Sequence, residues 1–203
     1  MSAYRILYFN GLTNGVTRKR EALAIDYLER RGARVTHVPV NWFSGESFEE
    51  LLARMVAYTE AALTDQGKLI LVGASAGGSL VLNILGRLHN KNLYAVTLCS
   101  RIHESALPWW DKRTLRRMAY IGKSKESRSF FDSVVYCGTT TIPSLSTAEK
   151  HRIITVVQWA DDVVPRQTMQ IKGVRTYRVS AFGHGWGIAM ATRRLPEIAT
   201  DYL

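Results

Sequence analysis

Cysteine, proline and acidic side chains are all scarce in this chain of 203 residues, with two cysteines, five prolines and 17 Asp+Glu. Cys99 and Cys137 form no C-x-x-C pair and belong to no metal-ligand set. We therefore expect no disulfide framework and no metal site, and read both as small apolar side chains in a reducing compartment. No apolar run approaches the roughly 18 residues that a membrane span requires. Met1–Tyr8 leads into a strand pattern without the charged, apolar and cleavage-site regions of a signal peptide, so a soluble, cytoplasmic protein is expected. Collagen-like, coiled-coil and disordered classes are excluded by 46% hydrophobic and 22% charged residues, an ordinary globular composition. A chain of this length buries roughly 70% of its unfolded surface, enough for one domain spanning 1–203.

The shortage of acidic residues leaves a formal charge of +10, which raises nucleic acid or an anionic membrane as partners. The basic residues are dispersed, however. Arg18–Arg20, Arg30/Arg31/Arg34, Lys123/Lys125/Arg128 and Arg193/Arg194 fall at expected helix ends or exposed faces, the pattern of a solvated surface. Only the stretch from Lys112 through Arg113, Arg116 and Arg117 to Arg128 is dense enough to contact an anionic partner. Nucleic acid is not the expected partner.

Short β-rich runs alternate with helical patterns along the whole sequence, which defines an α/β protein with an open parallel sheet covered on both faces. Strands are expected at Tyr4–Phe9, Arg34–Val40, Lys68–Val72, Leu93–Cys99, Ile153–Trp159 and Arg175–Ser180. Helices are expected at Thr17–Arg31, where Ala22, Ile25 and Leu28 recur at helical spacing, and from Ser47 to Leu63, where Ser47 and Glu50 form a capping box. Further helices are expected at Ala76–His89, Phe130–Cys137 and about Gly187–Tyr202. The interval from Ser100 to His151 is too long for a single crossover, so 100–128 reads as a lid-like insertion after strand 4, with Trp109 and Trp110 at its centre.

Gly73-Ala74-Ser75-Ala76-Gly77 fits G-x-S-x-G, and its setting carries more weight than the pentapeptide. It closes an apolar strand and opens a helix, the context in which a serine is lifted above the sheet edge on a strained turn flanked by small residues. The competing reading is a glycine-rich turn binding phosphate at a helix N-terminus, but the G-x-G-x-x-G and P-loop spacings are absent. A serine hydroxyl is a weak nucleophile near neutral pH and needs a base, which in turn needs an orienting group. Asp161 and Asp162 follow the fifth strand, and His184, in Gly183-His184-Gly185-Trp186, follows the sixth. Catalytic groups of open parallel sheets gather at the carboxyl ends of strands, so these residues can meet although distant in sequence. Either aspartate can serve as the orienting acid while the other caps a helix. His37, His89, His103 and His151 lack this placement.

These features resemble the α/β-hydrolase superfamily of esterases, lipases and related serine hydrolases, and among them the small, nearly lidless members. The resemblance spans the whole chain and rests on Gly73–Gly77, Asp161–Pro165, Gly183–Gly185 and the order Ser, Asp, His. It implies about six strands in the order 2-1-3-4-5-6, without the two strands that precede the first one in longer relatives. It implies Ser75, Asp161 and His184 as catalytic residues, Asp161 being favoured because the family's acid stands four residues before the proline. It further implies an oxyanion hole from the backbone amides of Leu12 and Ala76. Where relatives carry His-Gly after the first strand, this chain has Asn10-Gly11.

The expected activity is hydrolysis of carboxylic esters, or secondarily thioesters or amides, through an acyl-enzyme and without a cofactor. The substrate is a small-molecule ester contacted by Asn10, Gly11, Trp109, Trp110 and Trp186, with the insertion forming the wall of a shallow acyl pocket. Two other classes compete: a catalytically silent binding module on the same fold, and a basic binder of nucleic acid or anionic membranes. A broken Ser-Asp-His set would favour the first; this set is intact. Salt-dependent retention on heparin or DNA in competition with substrate would favour the second.

Overall fold

The computed structural model describes residues 5–13, 19–63, 67–104 and 128–200. Short helical turns apart, their elements run β1 (Arg5–Phe9), α1 (Lys19–Arg30), β2 (Arg34–Val38), α2 (Phe48–Ala62), β3 (Leu69–Ala74), α3 (Gly77–Leu88), β4 (Leu93–Leu98), α4 (Arg128–Tyr136), β5 (Ile153–Ala160), β6 (Arg175–Phe182), α5 (His184–Arg193) and α6 (Leu195–Thr200). The strands form a six-stranded sheet in the order β2-β1-β3-β4-β5-β6, with every neighbouring pair parallel. The expected α/β architecture and strand order are both present.

Side chains alternate across each strand, and the two sets feed two cores. Leu7, Phe9, Leu69, Leu71, Leu93 and Ala95 pack with Leu51 and Met55 of α2, Leu80 and Ile84 of α3, and Phe130 and Val134 of α4. Ile6, Tyr8, Ile70, Val72, Val96 and Leu98 pack on the opposite face with Leu28 of α1, Ile188 and Ala191 of α5, and Ile198 of α6. The central strand β3 is buried along its entire length, which explains its unbroken apolar run Leu69–Val72. Burial of each such Leu or Ile contributes about 2 kcal/mol. The outer strands are more open: β2 alternates exposed and half-buried positions up to the buried Val38, and in β6 only Val179 and Ala181 are buried.

The Ser47/Glu50 capping box forms at the start of α2 as expected. Two local expectations are corrected. The C-terminal helix begins at His184 rather than Gly187, because the carboxylate of Asp162 accepts the His184 N–H and so satisfies a helix-end donor from a different part of the chain. It also divides at Arg194, so that α6 restarts with Pro196 in its first turn, where a missing N–H costs nothing. The helix expected at Phe130–Cys137 is α4, followed by one π-helical turn, Cys137–Thr141. Residues 105–127, including Trp109, Trp110 and the Lys112–Arg117 cluster, lie outside the described residues. Among the described residues, no helix is long and apolar enough to cross a membrane.

Leu71 lies at the centre of β3 and is fully buried, whereas Leu23 on α1 is 54% exposed. Leu71→Ala is expected to lower the unfolding free energy by about 3 kcal/mol in urea titration, and Leu23→Ala by less than about 0.5 kcal/mol.

Candidate active site

The turn between β3 and α3 is built from positions that have no space for a side chain. A Cβ on Gly73 would fall inside the van der Waals shell of the Gly77 carbonyl, one on Gly77 would stand 2.6 Å from the Phe9 carbonyl oxygen, and one on Gly78 would overlap Ser100. Between them Ser75 adopts φ +51°, a left-handed conformation that costs a non-glycine residue roughly 1–2 kcal/mol. The turn is held by the Ser75 N–H donating to the Leu98 carbonyl (2.9 Å) and the Gly78 N–H donating to the Ser75 carbonyl (3.2 Å). Ser100 Oγ adds a bond to the Gly73 carbonyl (3.1 Å). The strain points the Ser75 side chain out from the sheet edge toward the loops beyond β5 and β6.

The extension of these two strands determines what meets it. Gln158 pairs with Val179 and Ala160 with Phe182, so β6 carries one residue more than β5 over this interval. Such a bulge bends its strand and redirects the side chains next to it. Asp161 and His184 emerge just beyond it. His184 Nδ1 lies 2.8 Å from Asp161 Oδ2, and His184 Nε2 lies 2.7 Å from Ser75 Oγ. Because a carboxylate only accepts, Nδ1–H donates to Asp161, leaving the Nε2 lone pair to accept the Ser75 hydroxyl. The imidazole and this carboxylate are almost fully buried, at 8% and 2% exposure.

The two aspartates divide the work of positioning the histidine. Asp161 Oδ1 accepts the N–H groups of Val163 and Val164, both at 2.8 Å, which immobilises the carboxylate with its other oxygen toward the ring. Asp162 Oδ1 accepts the His184 backbone N–H at 2.9 Å. Asp161 therefore orients the ring, while Asp162 anchors the backbone that carries it. Beside them, burial pushes the Cys99 thiol well up, and the Asp161 charge adds to the effect, which favours the neutral thiol.

A cavity of about 320 Å³ opens over Ser75 and His184. Gly11, Leu12 and Ala76 line it, as do Glu21, Arg101, Phe130, Val164 and Ile188. Gly11 packs against the serine, since a Cβ there would stand 3.0 Å from Ser75 Cβ. Asn10 is fully buried, and its side chain supports the loop: Oδ1 accepts the Val40 N–H (2.7 Å), and Nδ2 donates to the Val40 and Gly11 carbonyls and to Thr13 Oγ1. The Asn10 amide thus ties the loop after β1 to the segment after β2. Trp186 is 51% exposed on the outer side of α5, and the cavity is lined there by Gly185 and Ile188. Trp109 and Trp110 belong to the residues not described. No group of three or more His, Cys, Asp or Glu side chains is arranged to hold a metal among the described residues. The cavity lining of Arg101, Glu21 and Phe130 was not anticipated. A charged residue directly past an apolar strand was the available signal for Arg101, while Glu21 and Phe130 reach the cavity from helix faces.

Neither a family model nor a curated protein matches this sequence. Solved structures do match. A monoacylglycerol lipase from Paleococcus ferrophilus superposes with a TM-score of 0.64 at 15% identity, covering 98% of this chain and 95% of that one. A pyrethroid hydrolase from Sphingobium faniae gives 0.61 at 20% identity, over 99% and 97%. A carboxylesterase from Bacillus subtilis gives 0.59 at 14%, over 98% and 83%. The class of architecture is a doubly wound parallel α/β sheet with Ser75, Asp161 and His184 just past the carboxyl ends of its strands. More narrowly, the chain has the α/β-hydrolase fold.

The turn leaves a direct test. Gly73→Ala is expected to cost about 3 kcal/mol or more in urea unfolding, since the obstacle is backbone that cannot yield. A loss under about 1 kcal/mol would contradict the packing described.

Proposed function

We propose that the protein is a serine hydrolase that cleaves carboxylic esters through an acyl-enzyme intermediate. The observation that carries this reading is the continuous hydrogen-bonded series Asp161–His184–Ser75 at the floor of an open cavity. The names of the similar structures, lipase and carboxylesterase among them, agree with it.

In this reading Ser75 Oγ attacks the ester carbonyl carbon while His184 Nε2 takes its proton. Asp161 stabilises the resulting imidazolium and fixes its tautomer. Negative charge gathers on the former carbonyl oxygen, to be met by the backbone N–H groups of Leu12 and Ala76. A donor of this kind is worth roughly 3–4 kcal/mol in the transition state. Collapse breaks the bond to the alcohol, which departs with the proton from His184. His184 next deprotonates a water that attacks the acyl-enzyme, and Ser75 leaves with the proton as the acid is released. Each of these steps uses only the named groups, the substrate and water.

Ser75→Ala and His184→Ala are each expected to lower kcat on p-nitrophenyl esters by three orders of magnitude or more, because the groups act as a unit. A fluorophosphonate probe should label the wild type at Ser75. Failure of labelling together with unchanged turnover in Ser75→Ala would overturn the reading.

The two aspartates separate in the same assay. Asp161→Asn leaves the ring with the wrong tautomer and should reduce kcat by about 10⁴. Asp162→Asn retains an acceptor for the His184 N–H and should reduce it far less, with its effect visible mainly as lower thermal stability.

A further inference from the structure

Arg101 is an unusual occupant of the cavity. It leaves the end of β4 three residues past Leu98, is 5% exposed, and among the described residues is the only Lys or Arg lining the cavity that holds Ser75 and His184. Its Nη2 donates to Glu104 Oε2, and its guanidinium stands 5.8 Å from the centre of the Phe131 ring. Among the described residues its buried Nε has no hydrogen-bond partner. Burying a guanidinium is costly unless its donors are used. The partner that is present is weakly held, because the Glu104 side chain is 46% exposed and keeps much of its hydration. The cavity's other carboxylates are already committed. Asp162 bonds the His184 amide, and Glu21 lies close enough to the buried Tyr8 hydroxyl to help burial raise its pKa.

We propose that Arg101 is a specificity residue that receives a carboxylate carried by the substrate, displacing Glu104 from the guanidinium. This inference rests on the ester hydrolase reading and narrows it to esters bearing a negative charge. The guanidinium presents a planar fork of donors matched to a carboxylate. The cavity around it is otherwise largely apolar, with Leu12, Phe130, Val164 and Ile188 to take up methylenes. Glu104 holds the cation neutralised in the free protein, and its exposure lets it swing into water when a substrate carboxylate takes its place.

The test compares esters that differ in charge at similar length. The wild type should favour p-nitrophenyl hemiglutarate over p-nitrophenyl pentanoate in kcat/KM by about tenfold or more, the scale of one charge-assisted bond in a buried site. The difference should reside in KM. The acetate ester of 4-hydroxybenzoate places the charge on the leaving group instead, so whichever charged ester is favoured identifies the side that faces Arg101. In Arg101→Gln the charged-to-neutral ratio should fall to about one. Loss of a purely structural arginine would depress both esters together and leave the ratio unchanged. Glu104→Gln, at an exposed position, should increase the preference by removing the competing carboxylate, and it serves if Arg101→Gln fails to fold. Free glutarate should inhibit pentanoate hydrolysis competitively in the wild type. Equal kcat/KM for charged and neutral esters, or a preference that survives Arg101→Gln, overturns the proposal while leaving Ser75 labelling and neutral ester hydrolysis intact. Absence of both labelling and turnover would refute the hydrolase reading itself.

Discussion

At Ser75 the chain turns from β3 into α3 within two residues, in a conformation that a side-chain-bearing residue adopts only under constraint. The constraint is steric and comes from both sides. Gly73, Gly77 and Gly78 bring backbone against backbone and against Ser100 at separations no Cβ would allow. The Ser75 N–H meanwhile reaches across to the carbonyl at the end of β4. The geometry of the whole site depends on this turn. It aims Ser75 Oγ toward the imidazole, it starts α3 so that Ala76 lines the cavity, and it presses Gly11 and the loop after β1 against the serine. The two apolar cores on either side of β3 supply the stability that offsets the local strain.

The fold and the meeting of Ser75, Asp161 and His184 were largely legible in the sequence because each leaves a local mark. Alternation of apolar runs with helical spacing marks a parallel sheet, and the small residues around Ser75 mark a turn that tolerates nothing larger. The assignment between Asp161 and Asp162 was less visible. Both come directly after β5, both accept hydrogen bonds, and their separation into ring-orienting and backbone-anchoring groups depends on the extra residue in β6. That residue is a matter of pairing between strands, which no window along one strand contains. The same holds for the start of α5, where the cap comes from Asp162, 22 residues earlier in the chain.

Asn10 shows how a residue can be placed correctly and still have a different job. Its position after β1 put it beside the serine in any reading of an open parallel sheet. Its amide, however, is spent on Val40, Gly11 and Thr13, so its contribution reaches the cavity through the backbone of Gly11 and Leu12. Only a three-dimensional account of hydrogen bonds separates a lining residue from one that shapes the lining. Arg101 is the converse: only faintly marked in the sequence by its charge past an apolar strand, and conspicuous once its burial is known.

The histidine follows an edge strand of the sheet. Among the described residues β6 is an edge strand paired with β5 alone, and most of its side chains are at least partly open to solvent. Edge elements with few buried contacts open at lower free energy than the centre of a sheet. Ser75, by contrast, directly follows β3, the most buried strand. The hydrogen-bonded series Asp161–His184–Ser75 therefore joins an edge of the sheet to its centre: any local opening of β6 would break the series at His184 while leaving the Ser75 turn in place, so amide exchange in β6 would report on the integrity of the series ahead of global unfolding.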